Sequence, residues 1–457
     1  MAHHQIEVAE EHYVFKPETR KKLIILLIVG VAVFALGLFL AMRSGGHEEA
    51  THGDGHASSV VAKELVASTQ HEAATAEPHG AEHHETVSWL KRVYTTLWMN
   101  NVFFTGLGII GLFFVAIQYA AQAGWSVGVK RVGMAMGSWI PVAGVLMLGL
   151  YFLTHHDIFH WTHSSLYAKG DDFDPIINKK APFFFWPLAG GTFPIFFLGR
   201  MILFFSVWYW FLTMIRKNMR AEDLENSTKF WHKKQVLSTV FLIFFGVSSS
   251  VAAWDWVMSI DTHWFSTMFG WYVFASWWVT GLATITLIVV NLKSAGYLKI
   301  VNANHIHDLG KFVFAFSIFW TYIWFSQFLL IYYANIPEET VYFLERMKNS
   351  PYSWIFFLNL ILNFVLPFLL LMTRDAKRQM SMLKVVCPII IVGHWFDFFN
   401  MVTPGVMKFE GGVGFMEIGM AMIFAAVYLF VVLTSLTKLP LFGKNDPMLE
   451  ESLHHHI

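Results

Sequence analysis

Residues 236–258 read VLSTVFLIFFGVSSSVAAWDWVM, a stretch with one charge, Asp255. About 20 apolar residues in a helix, at ~1.5 Å each, cross the ~30 Å hydrocarbon layer of a bilayer. The stretch follows a basic segment, 216–234, that carries Arg216, Lys217, Arg220, Lys229, Lys233 and Lys234. Working outward from it, comparable runs occur at roughly 23–42, 102–123, 133–153, 193–215, 265–290, 312–334, 352–372, 385–403 and 413–436. Backbone groups in lipid must bond within their own segment, so all ten runs predict helices. The predicted fold class is an all-α polytopic membrane protein with ten transmembrane helices.

Composition agrees. Of 457 residues, 55% are hydrophobic and 14% charged, against about 25% charged in soluble domains. The formal net charge is zero, which implies no nucleic-acid partner. The single cysteine, Cys387, cannot form an internal disulfide, an iron–sulfur cluster or a C-x-x-C-H haem attachment. No phosphate-binding loop of the Walker or Rossmann type is present, and no histidine pair has the opposed mid-membrane placement of bis-histidine haem. This chain is therefore expected to bind no redox cofactor of its own.

Orientation follows from Lys and Arg. With a cytoplasmic N-terminus, the inner segments hold 21 of the 32, the outer ones 10, and Arg200 lies within a span. The positive-inside rule then places both termini in the cytoplasm. Span 1 is too long for a signal-peptide core and is expected to remain as an anchor, in a bacterial inner membrane.

The organisation predicted is a cytoplasmic N-terminus and anchor (1–43), a periplasmic segment rich in His, Glu and Ala (44–100), a first bundle (101–260), a second bundle (261–403), and a last span with a cytoplasmic tail (404–457). The outer segment contains His47, His52, His56, His71, His79, His83 and His84; its composition fits a solvated loop, with metal binding as the alternative. Trp89, Leu90, Val93, Tyr94, Leu97 and Trp98 fall at helical spacing, which predicts a short interfacial helix before span 2. Residues 181–191, broken by Pro182, Pro187, Gly190 and Gly191, predict an outer interfacial or re-entrant piece. Its Phe183-Phe184-Phe185-Trp186 run suits a membrane anchor or a lipid or quinone entrance.

Spans 2–5 and 6–9 form two four-helix groups of the same orientation, flanked by spans 1 and 10. Span 5 ends Ala253-Trp254-Asp255-Trp256-Val257-Met258-Ser259-Ile260, and span 9 ends His394-Trp395-Phe396-Asp397-Phe398-Phe399-Asn400-Met401. Each places an aspartate among aromatics about five residues, ~7–8 Å, below the outer boundary. That echo predicts a parallel repeat about an axis along the membrane normal.

An ionisable side chain at membrane depth costs at least ~2.5–3.5 kcal/mol, so each needs a partner or a purpose. The candidates are Arg200, Asp255, His394, Asp397 and Glu417. His155, His156 and Asp157 close span 3, and Asp261 and His263 lie in the turn between spans 5 and 6, as an outer rim. No comparable group is expected in the inner half. His394 and Asp397 share a helix face, suited to passing a proton or receiving the hydroxyl protons of a quinol; a hydrogen-bonded pair that locks span 9 is the plainer alternative. Asp255 and Glu417 are candidates for the same relay; alternatively Asp255 sits at a wet helix end or pairs with Arg200, which is expected to balance a carboxylate rather than bind substrate. The relay reading expects these groups to gather in one wet pocket open to the periplasm. Ser248–Ser250, Thr280, Thr284, Thr286, Tyr322, Ser326, Gln327, Asn359 and Asn363 could carry a water wire, or bond helices together.

Two stretches resemble a known family: Ser248 to Trp278 (SSSVAAWDWVMSIDTHWFSTMFGWYVFASWW) and His307 to Thr340 (HDLGKFVFAFSIFWTYIWFSQFLLIYYANIPEET). They are similar to the ActF membrane subunits of bacterial alternative complex III, a quinol:electron-acceptor oxidoreductase, and the likeness extends over about 95–440. The resemblance implies an NrfD-like (polysulfide-reductase-chain-C-like) subunit with two four-helix bundles. It also implies partners: a similar paralogue, an iron–sulfur protein and haem c subunits, within the lipid bilayer and facing the quinone pool. Quinone or quinol contact with this chain is possible, although the resemblance puts the family's quinol site in the paralogue.

The leading expectation is thus a non-haem membrane subunit of a respiratory quinol oxidoreductase that conducts protons, not catalytic alone. A secondary transporter built from two bundles and a purely structural scaffold are the alternatives.

Overall fold

The computed structural model describes residues 9–45, 89–225, 227–348 and 351–456; the seven histidines of the predicted outer loop lie outside them. Among the described residues the regular elements are all helical. Ten helices are long and apolar enough to cross a membrane: α1 (Pro17–Arg43), α2 (Trp89–Ala120), α3 (Lys130–Ile158), α4 (Ile195–Leu224), α5 (Thr228–Ile260), α6 (Phe269–Ser294), α7 (Ala303–Ala334), α8 (Ser353–Leu370), α9 (Met380–Glu410) and α10 (Phe415–Leu436). Each overlaps one predicted span, and the protein is an all-α polytopic membrane protein.

The two four-helix groups are closed rings. In the first, α2 packs on α3, α3 on α4, α4 on α5 and α5 back on α2; in the second, α6, α7, α8 and α9 repeat that circuit. The rings meet through α2 and α6, and the α5–α6 contact is matched by an α9–α2 contact. Exchanging the rings therefore preserves the contact pattern, as a repeat about an axis along the membrane normal requires. Glycine permits the central approach: a Cβ on Gly106 of α2 would lie 1.8 Å from the Trp277 indole, and one on Gly281 of α6 would lie 2.1 Å from Ile110. Helix α10 lies against α2 and α3, and α1 packs on α10 at the edge.

The described ends meet on one face, where the Leu441 N–H donates to Glu11 O at 2.7 Å. We call this the tail face and the opposite one the cleft face.

One local expectation is corrected. Residues 89–98 are not a separate interfacial helix: they are the first turns of α2, whose 32 residues run unbroken for ~48 Å. No proline or glycine separates the amphipathic turns from the apolar run, so the helix continues. The 181–191 stretch belongs partly to a short helix, Pro175–Phe185, capped by the Asp174 carboxylate. Its aromatics divide: Phe184 stacks on Trp161 at 4.0 Å, whereas Phe183 lies over the Arg200 guanidinium at 4.3 Å.

Candidate functional site

The second ring closes on Asp397. Spacing of three along α9 sets His394 and Asp397 on one face, and that face turns inward, leaving both at 0% exposure. Every other helix of the ring sends a neutral donor to the carboxylate. From α6, Tyr272 OH donates to Oδ1 and Ser276 Oγ to Oδ2 at 2.6 Å. From α7, Trp320 Nε1 donates to Oδ2 at 3.1 Å. From α8, Asn359 Nδ2 donates to Oδ1 at 2.7 Å, and Asn363 Nδ2 donates in turn to Asn359 Oδ1. Helix α8 makes a single π turn at Ile361–Val365, and Asn363 sits in it. Its Oδ1 occupies the place a Cβ on Gly393 would need, 2.3 Å away.

Among the described residues no Lys or Arg pairs with Asp397. Its titratable neighbour is His394, with Nδ1 3.6 Å from Oδ2, beyond hydrogen-bond reach; the imidazole stands edge-on to Trp320 at 5.2 Å. Among the described residues neither ring nitrogen has a hydrogen-bond partner. A carboxylate solvated by neutral donors, beside an imidazole with free valences, can take or give a proton without breaking an ion pair.

The matching aspartate of the first ring is arranged differently. Asp255 is also at 0% exposure, but Arg200 of α4 grips it with two bonds, Nε to Oδ2 at 2.8 Å and Nη2 to Oδ1 at 2.7 Å. The guanidinium is held between Phe183 and Phe196, each centroid 4.3 Å away. This is a closed, bidentate pair. Glu417 is likewise engaged. It stands in the first turn of α10, accepts from Gly414 N at 2.7 Å, and pairs with Arg92 at 2.6 and 2.8 Å. The relay candidates therefore do not share one pocket: two carboxylates are tied to arginines, and Asp397 with His394 stands apart. Sequence position gives depth, but only cross-helix geometry decides which acid meets which base.

The rim residues do converge. A cleft of about 510 Å³ opens on the cleft face, lined among others by His156, Asp157, His160, His163, Asp261, His263, Tyr342, Glu345 and Lys408. His263 Nε2 lies 2.5 Å from Asp174 Oδ2. Burial raises the Asp174 pKa, but the Ile177 N–H and His263 outweigh it and hold the carboxyl below its ordinary value. His155 is turned away, its ring stacked on Tyr151 at 5.3 Å.

Sequence reasoning missed Arg346, which was counted with the outer-loop charges and is 1% exposed. It donates to Asn400 O and Tyr342 O, both at 2.8 Å, and to Asp261 Oδ2 at 2.9 Å. Its guanidinium lies 3.5 Å from the Tyr342 ring centroid. Burial opposes its charge, but Tyr342 and Asp261 more than compensate and raise its pKa. Arg346 thus stands between the cleft and the Asp397 cage.

A second group of buried charges was also missed. Near the tail face, Lys234 (0% exposed) pairs with Glu222 (1%) and donates to Tyr119 OH at 3.1 Å. Lys130 pairs with Asp446 at 2.8 Å and Arg131 with Asp223 at 2.7 Å. Counting along the chain scored the three cations as loop charges. Helices α4 and α5 extend to Leu224 and from Thr228, which folds Glu222 and Lys234 into the packed end of the first ring. Acidic residues facing basic ones across a short turn were the available signal.

The hydroxyls proposed for a water wire mostly bond their own helix: Thr280 donates to Ser276 O, Thr284 to Thr280 O and Thr286 to Leu282 O, the i−4 pattern of buried threonines. Among the described residues, no three His, Cys, Asp or Glu side chains are placed to hold a metal ion. No family model matches the chain, and no curated protein matches it.

Proposed function

We propose that this chain is a multi-pass subunit of a respiratory quinol:electron-acceptor oxidoreductase in a bacterial inner membrane. Both termini face the cytoplasm, and the cleft face is periplasmic. The subunit moves protons between Asp397–His394 and the cleft. Electrons pass through haem c and iron–sulfur partners, and quinol, whether it meets this chain or its paralogue, supplies them. One observation carries the proton role: of two aspartates in equivalent ring positions, Asp255 is neutralised by a bidentate arginine and Asp397 is held by four neutral donors. Protonating Asp255 would leave the Arg200 cation without its counter-charge, whereas Asp397, held by neutral donors beside an imidazole, can exchange a proton without stranding a cation. The resemblance to ActF-like subunits supports the respiratory assignment.

The test is purification from the native membrane followed by turnover in vesicles. The chain is expected to bring haem-containing partners with it, and Asp397→Asn is expected to retain quinol oxidation while losing the coupled proton movement. Isolation as a lone protein would favour a transporter. Unchanged proton movement in Asp397→Asn would leave only a scaffold.

A further inference from the structure

Between the cleft and Asp397 lies a void of about 10 Å³, lined by Tyr272, Gln327, Tyr342, Arg346 and Asn400 with three apolar rings. Tyr342 and the Arg346 partner Asp261 also line the cleft, so one layer of side chains separates the two spaces. On the side away from the cleft, the Tyr272 hydroxyl donates directly to Asp397 Oδ1. Gln327 is 3% exposed and Asn400 4%, and both amide atoms of Gln327 and the Oδ1 of Asn400 have no hydrogen-bond partner. Three unpaired amide atoms at that burial would each cost about 1–3 kcal/mol. A cavity of ~10–15 Å³ holds one water, provided two to four polar atoms meet it.

We infer that this void is a binding site for a single water molecule, held by Gln327 and Asn400, which with Tyr272 forms the proton link between the cleft and Asp397. As the water receives a proton from the cleft side it gives one to the Tyr272 oxygen, and Tyr272 gives its own to Asp397 Oδ1; water and tyrosine end as they began, one proton is transferred in net and no electron is. The same geometry sets ion selectivity. A bare metal cation seeks about six oxygen ligands, and the void offers the side-chain oxygens of Tyr272, Gln327 and Asn400 beside the fixed Arg346 guanidinium. A proton passing through the water's bonds needs no such shell. The direction of this link, toward Asp397, rests on the proposed function; the water site itself does not.

Two measurements test it on the full chain in its assembled complex. An experimental density map in lipid nanodiscs, sharp enough to show ordered water, is expected to show one peak within hydrogen-bond distance of both Gln327 and Asn400. A dry void, with the Gln327 amide bonded to protein atoms, overturns the inference. In vesicles, Gln327→Leu is expected to slow proton movement by about a hundredfold, Gln327→Glu to restore part of the rate, and exchange of sodium for potassium to change nothing. Full-rate Gln327→Leu alongside a silent Asp397→Asn overturns the relay and leaves the proposed function standing. Full-rate Asp397→Asn defeats the proposed function, and the density map alone then decides the water site.

Discussion

Removing Arg200 separates the roles of the two aspartates. In Arg200→Leu, Asp255 keeps 0% exposure but loses both donors to its carboxylate, at 2.7 and 2.8 Å. Breaking a buried pair by deleting one partner costs about 3–5 kcal/mol, because the remaining charge is uncompensated. The two lost ring contacts add up to ~1 kcal/mol each. Asp255→Leu strands the cation instead and is expected to cost somewhat less, since Arg200 is 10% exposed and has two aromatic faces against it. The double variant removes both charges and is expected to be more stable than Arg200→Leu, with a coupling energy of about 2–3 kcal/mol. Denaturant unfolding in mixed micelles, followed by tryptophan fluorescence, would measure the cycle. Proton movement in vesicles gives the functional arm: the double variant is expected to move protons normally, because the first ring holds its aspartate closed. Additive single variants would refute the pairing. A stable double variant that no longer moves protons would refute the assignment of proton transfer to the second ring alone.

Other outcomes follow from the same contacts. Burial raises the Asp446 pKa, but Lys130 and Lys234 outweigh it and hold the carboxyl below its ordinary value. Its stabilising contribution is therefore complete above about pH 4 and lost as pH falls through the lowered value. Protection factors of residues 441–453, corrected for the intrinsic pH dependence of exchange, should stay high at neutral pH, fall only in acid, and already be low at neutral pH in Asp446→Asn. Gly106→Leu drives a side chain into the Trp277 indole, which a Cβ alone would approach to 1.8 Å; a loss of ~3 kcal/mol or more, or failure to fold, should appear as a lowered yield of monodisperse protein. Glu417→Ala removes a helix cap worth ~1 kcal/mol and an ion pair whose Arg92 side is 28% exposed and adds at most ~1 kcal/mol. Its thermal midpoint should drop by a few degrees with proton movement intact.

The ten helices and their grouping were legible because both depend on local signals: apolar length, and a repeated aspartate among aromatics at the ends of α5 and α9. Pairing was legible only in part. Arg200 could be offered to Asp255 as a partner, but nothing in the chain shows that α6, α7 and α8 bring Tyr272, Trp320 and Asn359 to Asp397. Arg346 and Lys234 escaped for a related reason. Each lies in a charged segment between spans that reads as a solvated loop, and burial arises only when Asp261 or Glu222 folds against it. The α8 π turn, which sets Asn363 over Gly393, has no sequence signature apart from that glycine.

The central claim is that Asp397 changes its protonation state during turnover. Infrared difference spectroscopy of the assembled complex, with isotope-labelled aspartate, reads this directly. The account predicts a carboxyl band that appears or vanishes with quinol addition, is absent in Asp397→Asn and is unaffected by removing the Arg200–Asp255 pair. A band that is missing in the unsubstituted complex, or that survives in Asp397→Asn, would contradict it.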